Sequence, residues 1–324
     1  MVFRCDPCGL LCLCFTYLII GYADYVVVLQ LILPVLKSSP AAVLNVVGFN
    51  TVAFLLTFSH LCAVFGDPGL IPLGQYPINQ INAIQRPVGW TTCTKCGMYR
   101  PPRAHHCRIC HRCVRRMDHH CPWINNCVGE YNQKYFIMFL IYVAILCIYA
   151  LIIVVVCRAA LGIGTPISSS SSSSLHLSSP SSSNEANPIV VAHMVALVAI
   201  CCLFGLFVFA ILSDQYKAIV EDETAIEALQ NRVRPSIHDA EIGYLPRRLS
   251  KSDLFREVFG GAPMYLWLLP CPFLFKSSKS NNSFPMPNPY RIEMTTPSNR
   301  LVPDTTNDDL SGTDSSTLSS DHHS

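Results

Sequence analysis

Four long apolar blocks alternate with polar ones along the chain. Residues 10–36, 43–66, 135–157 and 189–212 are almost wholly apolar. A helix rises about 1.5 Å per residue, so each block is long enough to cross a hydrocarbon core about 30 Å thick. Residues 1–9 form a short polar leader, and 37–42 (KSSPAA) form a turn. Asp67-Pro68-Gly69 is a run of chain breakers and marks the exit from the second block. The first large polar segment is 67–134. Residues 158–188 carry a long serine run and read as a disordered loop. Beyond the fourth block, 213–275 is mixed. Residues 214–234 read as a polar helix continuing from that block, with acids first and bases last, as the helix dipole favours. Residues 254–275 turn apolar and aromatic but are too interrupted to span. They are expected at a membrane surface or against the spans. From 276 to 324 Ser, Asn, Pro, Thr and Asp dominate, a composition that does not pack.

Charge gives the pattern a direction. Only 14% of the 324 residues are charged, against about 25% in a soluble domain. A net charge of +2 argues against a nucleic-acid binder driven by bulk charge. Segment 67–134 carries nine basic residues (Arg86, Lys95, Arg100, Arg103, Arg108, Arg112, Arg115, Arg116, Lys134) and the acids Asp67, Asp118 and Glu130. The bias of basic residues toward the cytosolic side places this segment in the cytosol, with both termini. Inside the blocks Asp24 and His193 stand out as ionisable candidates, too few for a transporter's ion path. The expected fold is an α-helical integral membrane protein with four transmembrane helices. A cytosolic cysteine-rich domain of small β-hairpins lies between the second and third.

That domain holds the chemistry. Seven of the seventeen cysteines and five histidines lie between Cys93 and Cys127. Cys93/Cys96 and Cys107/Cys110 are C-x-x-C knuckles, followed by Cys113, Cys121 and Cys127. The histidines are at 105, 106, 111, 119 and 120. A structural zinc takes four such ligands. Two zincs would take six cysteines and two histidines and leave one cysteine over. A spare thiol beside histidine and aspartate is a candidate nucleophile, and Asp118-His119-His120-Cys121 holds all three residue types. The competing reading makes Cys121 one more ligand in a binding module without catalysis. A cysteine phosphatase is excluded, because the residue six beyond Cys121 is Cys127 rather than arginine. Cys5, Cys8, Cys12 and Cys14 near the first block read either as juxtamembrane acyl acceptors or as apolar packing.

The stretch Asp118-His119-His120-Cys121, continued as CPWINNCVG, closely resembles the cysteine-rich domain of the DHHC family of protein S-acyltransferases. Asp67-Pro68-Gly69 matches the family's DPG motif, and the resemblance is strongest to the Golgi-type subgroup. It implies one zinc on Cys93, Cys96, His106 and Cys113, and a second on Cys107, Cys110, His120 and Cys127. Spacing alone left His105 and His106, and His119 and His120, open. The resemblance further implies Cys121 as nucleophile, His119 as base and Asp118 as its orienting partner. Palmitoyl-CoA is then the co-substrate, and membrane-associated proteins with cytosolic cysteines are the acceptors. The location is Golgi, another endomembrane or the plasma membrane. Arg100, Arg103, Arg115 and Arg116 are expected at CoA phosphates or at anionic lipid, and Trp123 at the membrane interface. The family's chain-length position in the third span aligns with Leu146. Two departures stand out. The TTxE motif reads Thr224-Ala225-Ile226-Glu227, and Leu254 stands where the family has asparagine.

Overall fold

The structure, a computed structural model, describes residues 6–80, 89–160, 187–233 and 249–270. The serine run, Cys5, Arg86 and the tail from 276 lie outside the described residues. Four helices are long and apolar enough to cross a membrane: α1 (Pro7–Leu36), α2 (Pro40–Phe65), α3 (Gln133–Ala160) and α4 (Pro188–Val220). Their starts are written in local chemistry. Asp6 accepts a hydrogen bond from the Gly9 amide at 3.0 Å, Ser39 from Ala42 at 3.2 Å and Asn187 from Ile189 at 3.0 Å. A proline follows each cap, where its missing N–H costs nothing. This is why α2 starts at Pro40 and the turn before it is shorter than 37–42. Within α1, Tyr25–Ile32 is wound as a π-helix.

Helix α3 packs against both α2 and α4. Fully buried Phe49, Leu56, Phe136, Met138 and Leu197 form the interior. Leu18, Leu44, Leu203, Leu206 and Phe209 point outward, as lipid-facing residues do. The polar helix expected to run on from the fourth span is interrupted. Helix α4 ends at Val220 and α5 restarts at Ala225–Val233. The break is a reciprocal cap. The Thr224 amide donates to the Glu227 carboxylate at 2.8 Å, and the Glu227 amide to the Thr224 hydroxyl at 3.4 Å.

The cysteine-rich segment folds as three antiparallel hairpins: β1 (Thr91–Cys93) with β2 (Met98–Arg100), β3 (His105–Cys107) with β4 (Arg112–Val114), and β5 (His119–Cys121) with β6 (Asn126–Val128). The last is stitched to the end of α2. Asn126 donates through Nδ2 to the Ala63, Val64 and Gly66 carbonyls at 2.9–3.1 Å, and Asn132 to the Ala63 and Cys127 carbonyls. Carbonyls at a helix end need such partners. The aromatic segment lies against the spans. After α6 (Lys251–Phe259), the Phe259 and Trp267 rings stack at 5.4 Å and the Tyr142 hydroxyl donates to the Leu268 carbonyl. Leu254, standing where asparagine was expected, is buried among apolar side chains.

Candidate active site

Strand alternation sorts the histidines. Successive side chains on a strand face opposite sides. His120 pairs across the hairpin with Cys127, and His106 with Cys113. Each pair turns to one side, joined by the C-x-x-C turn of the preceding hairpin. The result is two groups, Cys93/Cys96/His106/Cys113 and Cys107/Cys110/His120/Cys127, whose ligand atoms lie within 4.8 Å of one another. Tetrahedral zinc with sulfur at about 2.3 Å requires ligands about 3.8 Å apart. Cys113 Sγ is 3.8 Å from Cys96 Sγ, and His106 Nδ1 is 3.6 Å from Cys93 Sγ. His120 Nδ1 is 3.7 Å from Cys107 and from Cys127. Both groups fit a metal, and both use the histidines that the resemblance implied. Because each metal would bridge two consecutive hairpins, the interleaving ties all three together.

His119 and Cys121 face the other side of β5. Cys121 is buried and lies at the mouth of an apolar cavity between the four long helices, of about 850 Å³ including its opening. One wall is the stripe Phe136, Leu140, Val143, Leu146, Cys147 and Ala150 of α3. From Phe136 to Ala150 it extends about 21 Å. Leu146 is buried in this wall, and Ala150 lies one turn deeper. Trp123 is half-buried at the mouth, its ring 6.3 Å from Phe15 and 5.9 Å from Phe204.

Asp118 is almost fully buried and saturated with donors. His119 Nδ1 lies 2.8 Å from Oδ2, Gln215 Nε2 donates to Oδ2 at 2.8 Å, and the Ala225 amide donates to Oδ1 at 2.7 Å. Burial opposes the carboxylate charge, but the three donors outweigh it and hold Asp118 below the ordinary carboxylate range. Burial likewise opposes imidazolium at His119. The Asp118 and Cys121 hydrogen bonds win, and the ring is pushed up to about 9. Since Nδ1 serves Asp118, Nε2 is left for the Cys121 sulfur. The arrangement can draw a proton from a thiol and keep it near the sulfur.

The arginines divide. Arg103 grips Glu227 through Nε and Nη2 at 2.8 and 3.0 Å and Asp222 at 3.0 Å, while Arg116 holds Asp222 at 2.8 Å and Glu257 at 3.0 Å. Three carboxylates of this chain, Glu227, Asp222 and Glu257, thus engage the forks of the two arginines that were expected at phosphate or lipid. The carboxylates raise Arg103 above its ordinary range against the opposing effect of burial. Among the described residues the Arg100 guanidinium bonds the Thr91 hydroxyl, at 2.9 Å. Arg115 has no ion pair among the described residues. The altered Thr-Ala-Ile-Glu motif now has a physical role. Thr224 and Glu227 cap α5 so that the Ala225 amide reaches Asp118, a bond that needs no second threonine.

Gln215 and His60 are not singled out by the sequence, and Ala225 is singled out only as a departure from the motif. Gln215 and the Ala225 amide are 97 and 107 residues from Asp118. His60 is fully buried on α2. Its Nε2 lies 3.0 Å from the Trp123 carbonyl, which can only accept, so Nε2 carries the proton and Nδ1 accepts from the Tyr17 hydroxyl at 2.8 Å. An apolar run containing one histidine gives no sign of this.

An Asp–His–Cys array with Asp118 and Cys121 buried, set beside two Cys₃His groups and against an intramembrane apolar cavity, defines a membrane-embedded thiol-dependent transferase. Residues 88–232 match the family described as DHHC palmitoyltransferase. The chain is 37% identical to Palmitoyltransferase ZDHHC7 of Rattus norvegicus over 269 residues, 82% of this chain and 79% of that protein. It is 36% identical to Palmitoyltransferase ZDHHC3 of Homo sapiens over 239 residues, covering 72% and 74%. Over a shorter stretch it is 42% identical to Probable protein S-acyltransferase 16 of Arabidopsis thaliana, covering 37% and 44%. The chain belongs to the DHHC palmitoyltransferase family and is a protein-cysteine S-palmitoyltransferase of the multi-pass membrane class.

Proposed function

We propose that the enzyme takes a long-chain acyl group from acyl-CoA onto Cys121 and passes it to cysteine thiols of membrane-associated proteins. The observation that carries this is the position of Cys121, with the Asp118–His119 pair on one side and the apolar cavity on the other. In the first step His119 takes the Cys121 proton, and the sulfur attacks the thioester carbonyl. CoA leaves with its sulfur electron pair and receives a proton. In the second step a substrate thiol gives its proton to His119 and attacks the acyl carbon, the bond from that carbon to the Cys121 sulfur breaks, and Cys121 leaves as thiolate. Asp118 holds the ring in place and stabilises imidazolium throughout. Thioester exchange is nearly isoenergetic, so positioning matters more than driving force.

Burial of a long acyl chain is worth about 0.8 kcal/mol per methylene, which the cavity supplies only if the carbonyl stops at Cys121. The two Cys/His groups would hold structural zinc on Cys93, Cys96, His106 and Cys113, and on Cys107, Cys110, His120 and Cys127. Bound there, zinc supplies cross-links and no reacting group. Residues 67–134 lie in the cytosol, where acyl-CoA is found, with Arg100 and Arg115 offered to its phosphates and Leu146 setting chain length. The resemblance to the Golgi-type subgroup supports a Golgi or other endomembrane location, with the plasma membrane as the alternative.

Incubation with a clickable palmitoyl-CoA tests this. Wild-type protein should acquire hydroxylamine-sensitive label and transfer it to a membrane-anchored cysteine peptide, whereas Cys121→Ser should do neither. Equal labelling of both would overturn Cys121 as nucleophile.

A further inference from the structure

We propose that Cys12, on the first turns of α1, is a second acylation site that receives its acyl group from Cys121 of the same chain. This rests on the acyl-enzyme reading above. The first support is helical phase. Thr16, Ile19, Ile20 and Ala23 of α1 line the cavity. Steps of three and four carry that stripe back to Cys12 and then to Cys8 and Gly9. Cys12 thus stands one turn nearer the mouth than Thr16, whose hydroxyl bonds the Cys12 carbonyl at 2.8 Å.

The second support is the clamp around it. Helix α1 packs on the short turn Pro122–Ile124 that follows Cys121. Below Cys12, Gly9 lies so close to Asn125 that a Cβ there would collide with the Asn125 side chain. Above it, the Phe15 ring meets Trp123, and the Tyr17 hydroxyl reaches the Trp123 carbonyl through His60. Contacts on both sides hold Cys12 against the residues next to the nucleophile. Neither Cys8 nor Cys12 is in a disulfide or in either metal group. Cys8 is exposed and Cys12 half-buried, so both thiols are reachable. Cysteines where a helix enters a membrane are chemically suited to S-acylation.

The step is one more thioester exchange. A bond forms between the Cys12 sulfur and the acyl carbonyl carbon, the bond from that carbon to the Cys121 sulfur breaks, and the Cys12 proton ends on Cys121. Nothing is oxidised or reduced. The acyl chain stays in apolar surroundings, and Cys121 is free to load again. Cys12 then keeps a long-lived acyl group at the mouth of the cavity.

The experiment is a pulse and chase on the full chain in nanodiscs holding one copy each. The protein is pulsed with clickable palmitoyl-CoA and freed of excess. Label is then located by peptide mass spectrometry over time. We expect label first on Cys121 and later on Cys12. Prolonged loading should give two hydroxylamine-sensitive groups per chain in wild type and one in Cys12→Ala, with Cys121 loaded equally in both. Label that loads on Cys121 and is lost while Cys12 stays bare, or that reaches Cys8 alone, overturns this inference and leaves the acyl-enzyme standing. No label on Cys121 overturns both. Label on Cys12 in Cys121→Ser chains means direct attack on acyl-CoA and overturns the transfer.

Discussion

Replacing Gln215 tests the support beneath the reacting pair. Gln215→Leu keeps nearly the same volume but removes one of the three donors to buried Asp118, the 2.8 Å bond to Oδ2. It also removes the acceptor of Gln133 Nε2 at 3.2 Å. A hydrogen bond to a charged group contributes about 1.5–3 kcal/mol. The lost donor sits on the same oxygen that meets His119 Nδ1. If its effect is felt when imidazolium forms, acyl-enzyme formation slows about 10- to 150-fold, at about 1.4 kcal/mol per tenfold. Gln215 does not line the cavity, so the KM for acyl-CoA should stay within about twofold. The assay is single-turnover CoA release from protein with wild-type metal content. A burst rate within about twofold of wild type would refute the reasoning. So would a loss expressed wholly in KM, because Gln215 would then act on binding rather than on Asp118.

Arg103→Ala leaves Glu227 without its ion pair and Asp222 with Arg116 alone. With the Arg103 side chain 24% exposed, the cost is about 2 kcal/mol, below the range for fully buried pairs. It should appear as a lower thermal midpoint that Arg103→Lys does not restore, lacking the planar fork; full rescue by lysine would contradict this. Linkage sets the pH window of the Asp118–His119 pair. His119 is raised to about 9, so its stabilisation is complete below its ordinary value near 6.5 and is lost as pH climbs through 9. Asp118 is lowered, so its share is present above about pH 4 and fades on further acidification. Thermal midpoints from pH 6.5 to 9.5 should fall in wild type and change less in Asp118→Asn, and identical slopes would contradict the coupling. Leu146→Ala opens the cavity wall one turn short of Ala150. Two further methylenes are worth about 1.6 kcal/mol, so preference should move about 15-fold from C16 toward C18 acyl-CoA in direct competition. An unchanged ratio would count against Leu146. Chelation should release two zinc ions per chain together with the CoA burst, whereas a burst that survives full removal would argue against the hairpins holding the site.

Much of this was legible along the chain because the signals are local. Apolar length marks the spans, C-x-x-C turns mark the metal knuckles, and Asp118, His119 and Cys121 stand within four residues. Even the start of α2 was written in Ser39-Pro40, though the sequence reading passed over it. The break after Val220 was harder to read, because the same residues suit one continuous polar helix. Only the capping pair Thr224 and Glu227 argues otherwise.

By itself, then, the sequence determined the family, the four spans, the metal-ligand types and a surplus thiol beside an acid and a base. Tertiary structure decided which way each histidine faces. Two-residue alternation on β5 sends His120 to the metal side and His119 with Cys121 to the cavity side. It also decided that Arg103 and Arg116 brace the site, and that Gln215, the Ala225 amide and His60 support it. These partners lie 63 to 141 residues apart in the chain. The physical reason is that a buried charge or carbonyl must find its partner wherever the fold brings one close, and no spacing in the sequence encodes that meeting.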